Sequence, residues 1–492
     1  MQIEIIDRSL PAYLEEGWLR KRIPLNVEQV LPDASPDLKQ VAWLDSWLQL
    51  TGKHLGVSEQ TFSGVAHMDV VYLSEEGELS SLALQKDFSF DLAMELQEGE
   101  TPPQIRWTVT RSAARALNSR KIAVDLEIVA ETRAFRAAEL VSDSAPPEEI
   151  PGDLQFLHGE LDAQRVFAVT ERPFTVREQL RFPDAPQGRP QMLTCTPKIC
   201  VKGIEQLGTK AIVKGDLQVC VWCRDERGAP VLSELRAPFS QLLEIGDTPI
   251  SESSSEVALC SCSTELIDTI DGGFALDVEA RACLQFAAWT EQSVSFIRDA
   301  YSTRFDCVCS YEQQVFQVGH EQSRIAIEQD VSLALPEDLQ ELLVSHATLG
   351  LAESREDSIR IPGSADLLYR NASGELDVER RSFALTLGPI PAAEIAPLEL
   401  DTTTTRIQGR DLLVHLSGSL LWESGREEEV SLVEKLDVGE IPVGNRQTPA
   451  VYLVRSMGED RWTLAKRYRS SVAAIEEMNG PDQRVLLIPA EG

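Results

Sequence analysis

Gly64-Val-Ala-His-Met-Asp-Val-Val-Tyr72 is the stretch that decides the fold. Apolar and polar residues roughly alternate along it, which is the period of a strand with one buried face. Two other stretches have the same form: Gly215-Asp-Leu-Gln-Val-Cys-Val-Trp222 and Gly363-Ser-Ala-Asp-Leu-Leu-Tyr369. Each opens on Gly and closes on an aromatic residue. Each runs into a turn with a second Gly (Gly77, Gly228, Gly374), and each is followed by an apolar run with Phe (Phe88, Phe239, Phe383). Alternating runs around a short Gly-bearing loop predict a β-hairpin.

The recurrence extends well beyond this hairpin. Upstream stand Leu31-Pro32-Asp33, Phe182-Pro183-Asp184 and Leu335-Pro336-Glu337, with prolines 151 and 153 residues apart. Downstream, strands at Ile122–Ile128, Phe274–Ala280 and Leu412–Gly418 follow Asn118-Ser119-Arg120-Lys121, Asp271-Gly272-Gly273 and Gln408-Gly409-Arg410-Asp411. Clear long helical patterns are few; short helices are expected over 37–50 and 338–344. The expected fold class is mainly β: three tandem sandwich-like or barrel-like repeats of about 150 residues, a size that suits one core each. The boundaries are read at 1–140, 150–311 and 312–442. Polar, Pro-bearing segments at 142–151 and 443–449 serve as linkers.

Residues 450–492 follow a different pattern. Short apolar strands at Tyr452-Leu453-Val454 and Leu486-Leu487-Ile488 flank two short helical patterns. Asp460 is placed to cap the first helix and Ser470 or Ser471 the second, because a short side-chain oxygen accepts first-turn amide hydrogens. Asn479-Gly480-Pro481 stops the second. The expectation is a small α+β unit of βααβ order.

The 492 residues carry 46 Lys or Arg against 79 Asp or Glu, a formal charge of −33. Residues 450–492 hold six of each sign, so the whole deficit lies upstream. A polyanion would be repelled, which argues against nucleic acid as a partner. No run of eighteen apolar residues occurs, so no direct membrane insertion is expected. Met1–Asp7 lacks the basic stretch and apolar run of a secretory signal, so the expected compartment is the cytoplasm.

No catalytic constellation is visible, and no enzyme activity is expected. The six histidines are scattered, and neither a Gly-x-Ser-x-Gly elbow nor a phosphate-cradling Gly-rich loop is present. The nine cysteines fall between Cys195 and Cys309. Cys220-Val-Trp-Cys223 has metal-type spacing, but strand residues three apart point to opposite faces. Cys260/Cys262 and Cys307/Cys309 are two apart, so each pair is expected to share a face. The cysteines are read as small buried residues, with no metal and no cofactor. Trp43 and Trp47 are read as core. The candidate binding groove lies at one end of the C-terminal unit: Gly458, Glu459, Asp460 and Arg461 from one loop, Asn479 and Gly480 from the other. Lys466, Arg467 and Arg469 form a basic face suited to an acidic partner.

The C-terminal unit resembles a LysM module. The carrying residues are Tyr452-x-Val454, the Gly-Glu-Asp turn before Trp462, Ala465-Lys466-x-Tyr468, Asn479 and Ile488-Pro489. The usual Gly-Asp-Thr turn is here Gly458-Glu459-Asp460, and the loop from Asn479 to Leu486 is short. The three repeats resemble SPOCS domains of the spore-coat morphogenetic proteins of endospore-forming bacteria. There the resemblance rests on the Pro-Asp step, the Gly-to-aromatic strand and Asn118-x-Arg120-Lys121. Repeats two and three lack the Arg-Lys pair. The resemblance implies a non-enzymatic scaffold for coat assembly and forespore encasement. It would act in the mother-cell cytoplasm at the forespore surface and dock to the basement-layer ATPase of the coat and to other coat proteins. The alternative it implies is a protein that binds peptidoglycan of the spore cortex.

Overall fold

The computed structural model describes residues 1–56, 58–93, 102–148, 152–183, 188–226, 228–270, 273–355, 358–388, 394–395, 399–442, 450–455, 458–480 and 485–490. The chain is nearly all strand. The first repeat contains β1 (Gln2–Glu4), β2 (Ile6–Val30), β3 (Leu38–Leu55), β4 (Glu59–Ser74), β5 (Leu79–Ala93), β6 (Gln104–Asn118) and β7 (Lys121–Ala145). The second contains β8 (Leu154–Arg181), β9 (Gln191–Leu207), β10 (Lys210–Arg224), β11 (Pro230–Glu244), β12 (Glu252–Asp268) and β13 (Phe274–Ser302). The third contains β14 (Phe305–Ala334), β15 (Leu339–Leu349), β16 (Glu353–Arg355), β17 (Ser358–Asn371), β18 (Leu376–Leu387), β19 (Glu394–Ile395), β20 (Glu399–Gln408) and β21 (Asp411–Pro442). The C-terminal unit is β22 (Val451–Arg455), α1 (Arg461–Tyr468), α2 (Val472–Met478) and β23 (Val485–Pro489), the expected βααβ order.

Each repeat packs two sheets face to face. One is the meander β3-β4-β5, β9-β10-β11 or β15-β17-β18. The other is built on a pair of long antiparallel strands, β2 with β7, β8 with β13 and β14 with β21, to which β6, β12 or β20 adds an edge. The apolar faces meet in one core per repeat, around Phe62 and Tyr72, around Val219 and Phe286, and around Leu367 and Leu416.

The recurring glycines now have a physical reason. Gly64 lies opposite Phe88, Gly215 opposite Phe239 and Gly363 opposite Phe383. The Phe ring lies over the glycine in each case: a Cβ there would come within 2.6, 2.4 and 2.5 Å of it. Glycine in a strand is weak by itself but lets an aromatic neighbour cover the backbone. The second glycines make the turns, at φ of +81°, +77° and +81°. One alignment needs correction. Tyr72 and Tyr369 face their own repeat cores, and the residue on that face in repeat two is Cys223. Trp222 is one residue out of step, so it points to the opposite side. There it meets Trp43, with ring centroids 4.4 Å apart.

Two helix expectations fail. Residues 38–50 form most of β3, and 339–344 begin β15. Both strands are covered on both faces. In β3, Leu44 and Leu48 face the repeat core, while Trp43 faces the junction with the other repeats. A strand buried on both sides loses its alternation, so its apolar spacing mimics a helix.

The long strands outrun the sandwiches, so the repeats do not stand alone. Residue 140 lies inside β7, and residue 312 lies inside β14, which begins at Phe305 and pairs with β21. The far halves of the long strand pairs join in an additional layer. Its contents are shared: Ala163, Phe296, Phe316 and Leu432 make one cluster, and Ile3, Leu154, Ala300 and Leu436 another. β1 crosses from the first repeat to pair with β21 of the third, Ile3 opposite Leu436. The first repeat is thereby joined to the last.

Where sandwiches and shared layer meet, Arg133 is completely buried. Its guanidinium donates to Glu15 at 3.1 Å, Glu423 at 3.0 Å, Gln104 at 2.9 Å and Ser254 at 2.7 Å. It also lies over the rings of Trp18 and Trp289. These partners come from all three repeats.

Three outcomes are expected in denaturant unfolding. Gly363→Ala destabilises by about 1–3 kcal/mol, and Phe383→Leu restores part of the loss, because the added methyl meets only side chains. Gly215→Ala is not rescued by Phe239→Leu, because the Cβ would also lie 2.2 Å from the Cys200 carbonyl oxygen. Arg133→Met costs about 3–5 kcal/mol by leaving the buried Glu423 and the largely buried Glu15 carboxylates without their shared cation. Adding Glu15→Gln and Glu423→Gln recovers much of that loss.

Candidate functional site

The C-terminal unit places the expected groove residues together. Asp460 caps α1, accepting from the Thr463 amide at 2.6 Å and the Thr463 hydroxyl at 3.1 Å. These bonds hold its carboxyl below the usual carboxylate range, the Thr463 amide contributing most. Gly458, at φ +102°, turns the chain before it. Arg461 joins the two loops by donating to the Gly480 carbonyl at 3.1 Å and pairing with Glu476 at 3.5 Å. Asn479 is buried; its amide donates to Ile475 and Leu487 carbonyls, each at 2.7 Å, and accepts from the Leu487 amide at 2.8 Å. It therefore pins β23 to the end of α2. Glu459 pairs with Arg467 at 2.6 Å. Residues 456–457 and 481–484 of these loops lie outside the described residues.

Two residues of the basic face are engaged within the chain. Lys466 binds Asp299 at 2.7 Å and Arg469 binds Asp306 at 2.6 Å, both in the β body. Trp462 donates to Asp299 at 2.8 Å, and the Tyr301 hydroxyl donates to the Ser470 carbonyl at 2.6 Å. Burial works against the Asp299 charge, but hydrogen bonds from Lys466 and Trp462 outweigh it and hold its pKa down. The acidic partner of Lys466 and Arg469 is thus the chain itself. The outer face of the β22–β23 pair remains open: Leu453 is 73% exposed, and Val451, Val485 and Leu487 lie beside it.

A second concentration of chemistry lies where the three meanders meet. An apolar layer of Trp43, Val71, Leu193, Trp222, Val344 and Leu368 draws on every repeat. Below it Asp45 faces Asp69 across β3 and β4, and the His346 ring lies tilted against Trp43, centroids 4.4 Å apart. Thr194 donates to Asp45 at 3.4 Å. Burial raises the Asp45 pKa. Burial, and then the Asp45 charge, raises Asp69 to about 7. Burial lowers His346. This buried acid pair had no sequence signature, since residues 24 apart met only through strand register.

The thiols are free. Burial lifts Cys195 and Cys223 to about 11 and Cys262 to about 12, so they stay protonated and are weak nucleophiles at neutral pH. Cys220 and Cys223 face different clusters, as strand geometry requires. Cys260 and Cys262 do not share a face: the pairing of β12 slips between Leu259 and Ser261, sending Cys260 to the first repeat's core and Cys262 to the second's. Cys307 and Cys309 belong to β14, at the start of the third repeat. Among the described residues no three His, Cys, Asp or Glu side chains are grouped to hold a metal ion.

The Arg-Lys pair of the first repeat is a corner lock. Arg120 donates to the carbonyls of Ser35 at 2.7 Å and Pro32 at 2.7 Å and pairs with Asp37 at 2.9 Å. Lys121 pairs with Glu28 at 2.6 Å. The Arg120 carbonyl accepts from the Leu31 amide, and the Arg410 carbonyl accepts from Leu335 in the same way. The pair stabilises the Pro-Asp corner.

Asp69 predicts a pH dependence. Its folded pKa lies above its unfolded value, so the folded state holds the extra proton between about pH 4 and 7 and stability falls as pH rises through that window. Asp69→Asn is expected to raise the thermal midpoint at pH 8, with little change at pH 4. Among the described residues, no helix is long and apolar enough to cross a membrane. No family model, no curated protein and no solved structure matches this chain.

Proposed function

We propose that the chain is a non-enzymatic scaffold for spore-coat assembly, docking to coat basement-layer proteins through its LysM-like unit at the forespore surface in the mother cell. The observation that supports this most is how the unit is mounted. Trp462, Lys466 and Arg469 fasten α1 to the rigid β body through Asp299 and Asp306. The exposed Leu453 face and the Gly458–Arg461 and Asn479–Gly480 end take no part in those bonds. An exposed apolar sheet face suits a protein partner better than a sugar. Within the groove, Asp460 and Asn479 already bond inside the unit, which leaves fewer polar groups for a glycan. Several modest contacts on one rigid chain also raise avidity in a layered assembly.

The test is capture of the basement-layer coat ATPase by the purified full-length chain, with Leu453→Glu as the variant. Binding lost in Leu453→Glu, with unchanged unfolding, supports the reading. Titration with chitooligosaccharides or muropeptides is the counter-test: saturable binding together with no capture of the ATPase gives the protein to cortex peptidoglycan instead.

A further inference from the structure

A cavity of about 1020 Å³ opens between the three repeats, beneath the Trp43–Trp222 layer. Its borders are unusual for a sheet protein. Consecutive residues Ile105–Ser112 of β6 and Ser253–Leu259 of β12 all line it. A strand that shows a cavity one face contributes only alternate residues. An unbroken run means that the strand presents its edge. The topology agrees: among the described residues, β7 is the strand partner of β6 and β13 that of β12, so each has one open side.

Gln285 marks which way the open edge of β6 points. Its side-chain amide donates to the Ile105 carbonyl at 3.1 Å and accepts from the Ile105 amide at 2.7 Å. It takes both main-chain groups, as a neighbouring strand would. By the two-residue period, the N–H and C=O of Trp107 and Val109 point the same way. Beyond Val109 the β6–β7 register shifts by one residue. The first rung of this edge is therefore filled by a side chain, and the next rungs face the cavity.

The charge around the cavity departs from that of the chain. Six Lys or Arg residues line it against four Asp or Glu, in a protein of formal charge −33. Arg106, Lys202, Arg236 and Arg380 pair with carboxylates, so the excess is carried by Arg111 and Lys198, which are exposed there. Thr108, Thr110 and Ser255 add hydroxyls on the walls.

We propose that this cavity receives an extended acidic peptide from another protein, added as a strand to the open edge of β6 at Trp107 and Val109. Open strand edges bind peptides through main-chain hydrogen bonds, with side-chain surroundings setting specificity. The eight residues Ile105–Ser112 span about 26 Å, enough for a strand of similar length. The proposal rests on the β body alone and is independent of the C-terminal unit and its partner.

The test uses the full-length protein and three fluorescein-labelled octapeptides read by fluorescence polarisation. One alternates Glu and Val, one alternates Lys and Val, and one is the Glu-Val peptide with alternate backbone amides N-methylated. The Glu-Val peptide is expected to bind saturably, and the other two at least about tenfold more weakly. Amide exchange in segment 104–112 is expected to slow when the Glu-Val peptide is present. Val109→Pro removes a donor on the open side, so it is expected to abolish binding, whereas Val109→Ala, which trims the same side chain from the first core but keeps the donor, is expected to retain it. The proposal is overturned by absent saturable binding, by equal binding of the N-methylated peptide, or by exchange protection at another strand instead. Should Val109→Pro fail to fold, the N-methylated arm on the unaltered protein still decides.

Discussion

Arg133 is the group on which the three repeats depend in common. A guanidinium without solvent is costly unless every face of it is matched. Here carboxylates from the first and third repeats, a serine from the second and aromatic rings from the first and second surround it. None of these groups is in place unless the three sandwiches are in place. Arg106 and Glu131 extend the arrangement at 2.6 Å, with Glu256 of the second repeat at 3.6 Å from Arg106. A buried ion cluster of this kind need not add much net stability. Its effect is that a misplaced repeat leaves a charge unmatched, which penalises other packings.

Around that point the molecule closes on itself. The long strand pairs carry each repeat's sheet out of its own sandwich into a shared layer, and β1 brings the first strand of the chain to the last repeat. Tandem domains joined by linkers would keep separate cores. This chain has separate cores at one end and shared ones at the other. The meanders meet at the apolar layer and leave the acid pair and the cavity beneath it. Chemistry that no single repeat contains is thus assembled from edges that each repeat leaves open.

Much of the repeat was legible from residues. The Gly-to-aromatic runs, the Gly turns and the returning Phe located β4, β10 and β17 and their partners, because each of those residues meets a local backbone demand. The C-terminal unit was legible for the same reason: Asp460 caps α1 and Ser471 caps α2. The helices expected at 37–50 and 338–344 were misread because both faces of β3 and β15 are covered. The ion pairs that Lys466 and Arg469 make within the chain had no local signature, because Asp299 and Asp306 lie more than 150 residues away.

The sequence by itself determined the strand-rich class, the threefold recurrence and the βααβ end, since periodicity, turn glycines and caps act over a few residues. Only the tertiary structure decided where each repeat ends, which way Trp222 points and what surrounds Arg133. Those depend on register and on contacts between distant segments. A one-residue slip, or a partner strand hundreds of residues away, changes them without altering any local pattern.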